Sequence, residues 1–91
     1  DVVSLYNAWT TGAQNWDQAT REAFATDPLN LLAVDGPTNE TKRHHDASDW
    51  IPTNPAYHCA FATAQISVKH KYELWVTPSE AKALDGLLRS C

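Results

Sequence analysis

Asp27-Pro28-Leu29-Asn30-Leu31-Leu32-Ala33-Val34, followed by Asn39-Glu40-Thr41-Lys42, is the stretch whose reading decides the fold. Asp27-Pro28 punctuates the end of a preceding helix, and the apolar run from Leu29 to Val34 has the length of one strand bounded by turn residues. Asp35-Gly36-Pro37 then turns the chain. A helix starting near Thr38 holds Asn39 and Lys42 three residues apart, so both side chains project from one face toward the strand. The expectation is a short buried strand leading into a helix that carries polar groups.

Toward the N-terminus, Asp1 to Leu5 reads as the tail of a strand and Tyr6 to Thr11 as a short helix closed by Gly12, with Leu5, Ala8 and Trp9 on its inner face. Asn15 is placed to cap a second helix through about Thr26, with Trp16, Ala19 and Phe24 in the core and Arg21 on another side. Toward the C-terminus, Asp46 to Trp50 reads as a helical turn ending before Pro52. Asn54-Pro55 starts the longest helix, to about Leu74, whose Tyr57, Phe61, Ala64, Val68 and Tyr72 recur at helical spacing as a core stripe. The last helix has the clearest start: Thr77-Pro78-Ser79-Glu80 combines an N-cap threonine, a proline at the first helical position and a glutamate at N3. Leu84, Leu87, Leu88 and Cys91 line one of its faces. No internal repeat, linker or low-complexity segment interrupts the chain.

Ninety-one residues make one domain, residues 1–91, of a size that is only marginally stable without help. Cys59 and Cys91 offer that help. If the last two helices form an antiparallel hairpin, the start of one lies beside the end of the other and a disulfide is geometrically reasonable; the alternative is two buried free thiols in a cytosolic protein. The absence of methionine, four tryptophans and a terminal cysteine lean toward secretion. No apolar run approaches a membrane span and no signal peptide is present, so a mature, processed or excised piece is expected. A net charge of −4 argues against a broad electrostatic grip on nucleic acid, whereas a metal-centred phosphate site needs far less positive charge.

The chain resembles the secreted, GmrSD-like branch of HNH nucleases. The matches are Val2-Val3-Ser4-Leu5, Ala8-Trp9 with Gly12-Ala13, Trp16, Arg21 with Phe24-Ala25, Asp27-Pro28-Leu29-Asn30-Leu31, Asn39 with Lys42, Trp50 with Pro52, Lys69 with Tyr72, and Cys91. They cover nearly the whole chain in family order. The resemblance implies an α+β fold, a small, mostly helical domain that contains a ββα-metal (HNH) finger with its first strand incomplete here. It also implies a metal-dependent phosphodiesterase in which an aspartate and a helix asparagine bind one divalent cation while a histidine activates water. Asn39 matches the metal-binding asparagine, Asn30 the finger asparagine that orients the catalytic loop, and Lys42 lies one turn on, where it could neutralise phosphate; Arg21 and Arg43 are further phosphate-binding candidates.

One departure from the pattern matters. Asp1 stands where the family carries its catalytic histidine, and the family's metal-binding aspartate would precede it. Asp1 could still ligate a metal, but as a general base it is poor, since an ordinary aspartate pKa near ~4 leaves little proton-accepting power at neutral pH. Either an upstream segment or a second chain completes the first strand, or the histidine was substituted, or the module has lost activity.

Other constellations weigh less. His44, His45, His58 and His70 match no structural zinc spacing. Arg43-His44-His45 with Lys42 reads as a locally positive loop or as solvated surface, and Lys69-His70-Lys71 as the exposed side of the long helix or a nucleic-acid contact. All tryptophans but Trp75 are assigned to packing; a carbohydrate-binding reading would instead need two or more of them exposed. Asn39-Glu40-Thr41 is also an N-glycosylation sequon, and a glycan there would abolish a metal site.

The expected function is a secreted, nonspecific endonuclease that hydrolyses phosphodiester bonds of DNA or RNA with one divalent cation. Magnesium is first on ligand hardness, with manganese or calcium as alternatives. The alternative class is an inactive secreted binding or effector module. No membrane partner is expected.

Overall fold

A computed structural model describes residues 1–31 and 40–91 of the chain. Ser4 begins the first helix, α1 (Leu5–Thr10), by accepting the Asn7 N–H on its hydroxyl. Gly12 follows at φ 131°, a conformation that L side chains rarely adopt, and a Cβ there would lie 3.1 Å from the Trp75 ring, so both backbone and space require glycine. After a 3-10 turn at Ala13–Asn15, Asp17 caps α2 (Gln18–Ala25) by accepting the Thr20 N–H. The cap is therefore Asp17, not Asn15.

The principal correction concerns Leu29 to Val34. Pro28–Asn30 form a 3-10 turn capped by the Asp27 carboxylate, which accepts the Leu29 N–H. A local side-chain acceptor and a proline at the first position favour a tight turn over the extension that the apolar run suggests. Leu31 is extended (φ −112°, ψ 126°), and the remainder of the expected strand lies outside the described residues. The described residues contain helices and turns and no strand, so the unit is small and mostly helical.

A 3-10 turn at Pro55–Tyr57 leads into α3 (His58–Lys71), which ends where Glu73 adopts φ 56°. Thr77 then caps α4 (Pro78–Leu88) with the expected capping box: Thr77 accepts the Glu80 N–H, and Glu80 accepts the Thr77 N–H. The two helices form a hairpin closed by the Cys59–Cys91 disulfide, with Cα atoms 5.3 Å apart.

Two apolar clusters flank α3. Val2, Val3, Ala8, Ala13, Phe24, Val68 and Leu74 form the first, roofed by mutual contacts of Trp16, Phe24 and Tyr72 with ring centroids 5.1–5.4 Å apart. Ala47, Ala62, Leu84 and Leu87 form the second, with Phe61 packed against it and Trp50 edge-on to Phe61. Several expected core positions lie outside: Leu5, Trp9, Ala19 and Tyr57 are exposed. The buried face of α3 is instead Ala62, Gln65, Val68 and Lys69, with Gln65 Nε2 and Lys69 Nζ bonded inside the fold.

Candidate functional site

Asn30 is buried at the end of its 3-10 turn and holds the first residues of the chain. The Val3 N–H donates to Asn30 Oδ1 at 2.7 Å, Asn30 Nδ2 donates to the Val3 carbonyl at 3.0 Å, and the Val2 N–H donates to the Asn30 carbonyl at 2.8 Å. Gln65 Nε2 donates to the Val2 carbonyl from α3. One amide side chain thus satisfies both backbone groups of Val3, and Asp1 is held at an exposed edge just before this clamp.

The segment beginning at Glu40 reaches the same edge. The Ser4 hydroxyl donates to the His44 carbonyl at 3.2 Å, which docks the turn following the helical residues 40–42 on the start of α1. Lys42 Nζ is buried without a hydrogen-bond partner among the described residues, and burial pushes its ammonium below the ordinary lysine range. It lies near Asp1: burial first, and the Lys42 charge second, lower the pKa of the Asp1 amino group. Asn30 and Asp1 therefore share one edge, which the charge of Lys42 reaches. Asn39 lies outside the described residues.

The arginines are placed differently. Arg43 is exposed and pairs with Glu40 at 2.8 Å. The Arg21 guanidinium lies 5.2 Å from the Trp9 ring centroid and donates to the Gln14 carbonyl at 3.2 Å, while its Nε is buried without a partner among the described residues. His44 and His45 stack at 4.9 Å, and the edge of Tyr6 meets His44 at 5.3 Å. His58 hydrogen-bonds the Pro52 carbonyl at 2.7 Å. Among the described residues no three His, Cys, Asp or Glu side chains are grouped to hold a metal.

Two polar centres support this arrangement, and sequence reasoning missed both. Lys69, expected on the exposed side of the long helix, is buried: its Nζ donates to Asn7 Oδ1 at 2.8 Å, the Trp75 carbonyl at 2.9 Å and Glu80 at 2.9–3.0 Å. Desolvation lowers its pKa against the opposing pull of Glu80 and Asp46. The signal was its register, since Ala62, Gln65 and Lys69 recur at helical spacing. Asp27 accepts from Lys71 at 2.5 Å, the Tyr72 hydroxyl at 2.6 Å and the Leu29 N–H at 2.9 Å. Lys71 foremost, then Tyr72, holds its carboxyl down to about 2; burial and the hydrogen bond to Asp27 push Tyr72 up to about 12. Asp27 thereby ties the turn that carries Asn30 to the end of α3.

Comparison with known proteins gives two matches. The sequence model of a family described as GmrSD restriction endonucleases, C-terminal domain, matches residues 2–86. An uncharacterized secreted protein of Arthroderma benhamiae is 38% identical over 92 residues, covering 99% of this chain and 45% of the relative, so the chain spans less than half the length of that relative. No solved structure matches. Among the described residues no helix is long and apolar enough to cross a membrane.

Proposed function

The chain belongs to the family of GmrSD restriction endonuclease C-terminal domains, and from that membership we propose that it is a secreted, metal-dependent nuclease module that hydrolyses phosphodiester bonds of DNA or RNA without sequence specificity. The observation that carries this reading is the family match over residues 2–86, beside which Asn30 clamps the backbone of Val3 and the Lys42 ammonium is buried with no partner among the described residues. An ammonium that is buried and lacks a partner among the described residues suits a phosphate oxygen, which would supply the missing acceptor and compensate the charge.

In this reading Asn30 is a positioning residue that fixes the backbone of Val3 and so the edge carrying Asp1. Lys42 binds the scissile phosphate. Arg21 and Arg43 contact phosphates further along the strand, Arg43 by exchanging its Glu40 partner. Asp1 and Asn39 would hold the cation; oxygen donors of this kind suit a hard divalent ion, magnesium first and manganese or calcium next. Such an ion, when bound, supplies charge neutralisation for the phosphate and the leaving oxygen. The ββα-metal finger belongs to the same proposal. An upstream segment would complete the first strand, in keeping with a relative about twice as long.

Asp1 at the family's histidine position favours a second reading, a secreted binding or effector module without catalysis. Substitution separates the two. Asn39→Ala is expected to abolish metal-dependent cleavage and Lys42→Ala to weaken it; unchanged cleavage in both variants would sink the assignment.

A further inference from the structure

The helix α1 is turned inside out. Its buried residues are Asn7 and Ala8, while Leu5, Tyr6 and Trp9 are 59%, 61% and 47% exposed. The internal network explains half of this, because Asn7 must face inward to meet Lys69 and Glu80. It does not explain why the outward face carries large aromatic side chains, since an exposed contiguous apolar patch usually marks an interaction site.

The neighbours of those rings identify the chemistry. Tyr6 and Trp9 are three residues apart on α1 and share one side of it. His44 meets Tyr6 at 5.3 Å, His45 stacks on His44 at 4.9 Å, and Arg21 lies over Trp9 at 5.2 Å. The result is one strip of π and cationic groups, His45, His44, Tyr6, Trp9 and Arg21, that starts at the turn just after Lys42. Charge follows the strip. Arg43, Lys69, Lys71 and Arg89 each hold a carboxylate, whereas Arg21 and Lys42, together with Lys82 on α4, hold none among the described residues. Among the described residues, a chain of net charge −4 thus leaves a cation without a carboxylate at each end of an aromatic strip.

We propose that this strip is a single-strand track: a single-stranded stretch of nucleic acid runs along α1 with bases stacked on Tyr6 and Trp9 and its backbone held by Arg21. The track rests on the nuclease reading above and narrows its substrate to unpaired strands. Stacking on exposed rings needs free base faces, which a duplex keeps for its own neighbours. Duplex also carries a denser line of phosphate charge, which an acidic protein of this size binds poorly.

The test is binding of fluorescein-labelled thymidine and uridine oligonucleotides of roughly fifteen nucleotides, within single-strand site sizes, against a duplex of equal length, in low salt with EDTA. The single strands are expected to bind more tightly than the duplex, and Trp9→Ala and Tyr6→Ala each to weaken them roughly five- to hundredfold, the range given by losing one stacked base. Both side chains are exposed, so the variants keep the fold; Tyr57→Ala, another exposed aromatic outside the strip, is expected to leave binding unchanged. Equal or tighter duplex binding, no binding of any probe, or unchanged single-strand binding in both strip variants overturns the track. Cleavage measured in parallel separates the claims. Metal-dependent cleavage with unaltered Tyr6 and Trp9 variants leaves the nuclease and removes the track, whereas strip-dependent binding without cleavage leaves the track and removes the nuclease.

Discussion

Lys69 Nζ and the Glu80 carboxylate lie 2.9 Å apart with side chains 3% and 0% exposed, joining α3 to the first turn of α4 inside the fold. Asn7 from α1 and the Trp75 carbonyl complete the shell around the ammonium. Removing either partner strands a buried charge, so Lys69→Ala or Glu80→Ala is expected to cost about 3–5 kcal/mol in urea unfolding. The double replacement Lys69→Met with Glu80→Leu is expected to recover part of that loss, because no lone charge is then left inside.

Asp27 and Tyr72 set the pH limits of stability. The Asp27 carboxyl is held to about 2, below its unfolded value, so its contribution is fully present above the ordinary aspartate range and is lost as pH falls toward 2. Tyr72 is pushed up to about 12, so the stability tied to its neutral hydroxyl is present below ~10 and is lost as pH rises toward 12. Melting temperature against pH is expected to show a plateau between these limbs. Asp27→Asn should flatten the acid limb and Tyr72→Phe the alkaline one.

The Cys59–Cys91 bridge closes a loop with a sequence separation of 32. Its loss by reduction or by Cys59→Ser is expected to remove roughly 3–4 kcal/mol on the chain-entropy account. Thermal melts with and without reductant check this. The two treatments should give the same shift.

Asn30→Ala would leave both backbone groups of the buried Val3 without the partners that Asn30 supplies, at about 1–3 kcal/mol for each unsatisfied group. Asn30→Asp keeps an acceptor for the Val3 N–H but no donor for its carbonyl. Hydrogen exchange at Val3 is therefore expected to accelerate in Asn30→Ala and to stay partly protected in Asn30→Asp. Cleavage should fall in the same order.

What was legible in the sequence was local. The Thr77–Glu80 capping box, the Phe24 core position and the helical hairpin that brings Cys59 to Cys91 follow from short-range patterns. The turn at Pro28–Asn30 defeated the apolar run because the Asp27 side chain satisfies the backbone locally. The register of Lys69 with Ala62 and Gln65 marks it as buried, but its partners Asn7 and Glu80 come from other helices and only the fold identifies them. Trp9, expected on the inner face of the first helix with Leu5 and Ala8, is exposed, and it is Asn7 that faces inward to Lys69. At the site, the resemblance points to Asn30, which clamps the backbone of Val3 beside Asp1, and to Lys42, whose ammonium is buried; Arg21 instead lies on Trp9.

The central claim is phosphodiester hydrolysis at the Asp1–Asn30–Lys42 edge. It is tested most directly by incubating single-stranded circular and plasmid DNA with the protein and with its Asp1→His and Lys42→Met variants, in magnesium or manganese, against EDTA. The expected result is slow cleavage by the protein, faster cleavage by Asp1→His, weaker cleavage by Lys42→Met, and none in EDTA. No cleavage by either the protein or Asp1→His, with folding verified by circular dichroism, or cleavage indifferent to EDTA and to Lys42→Met, would contradict it.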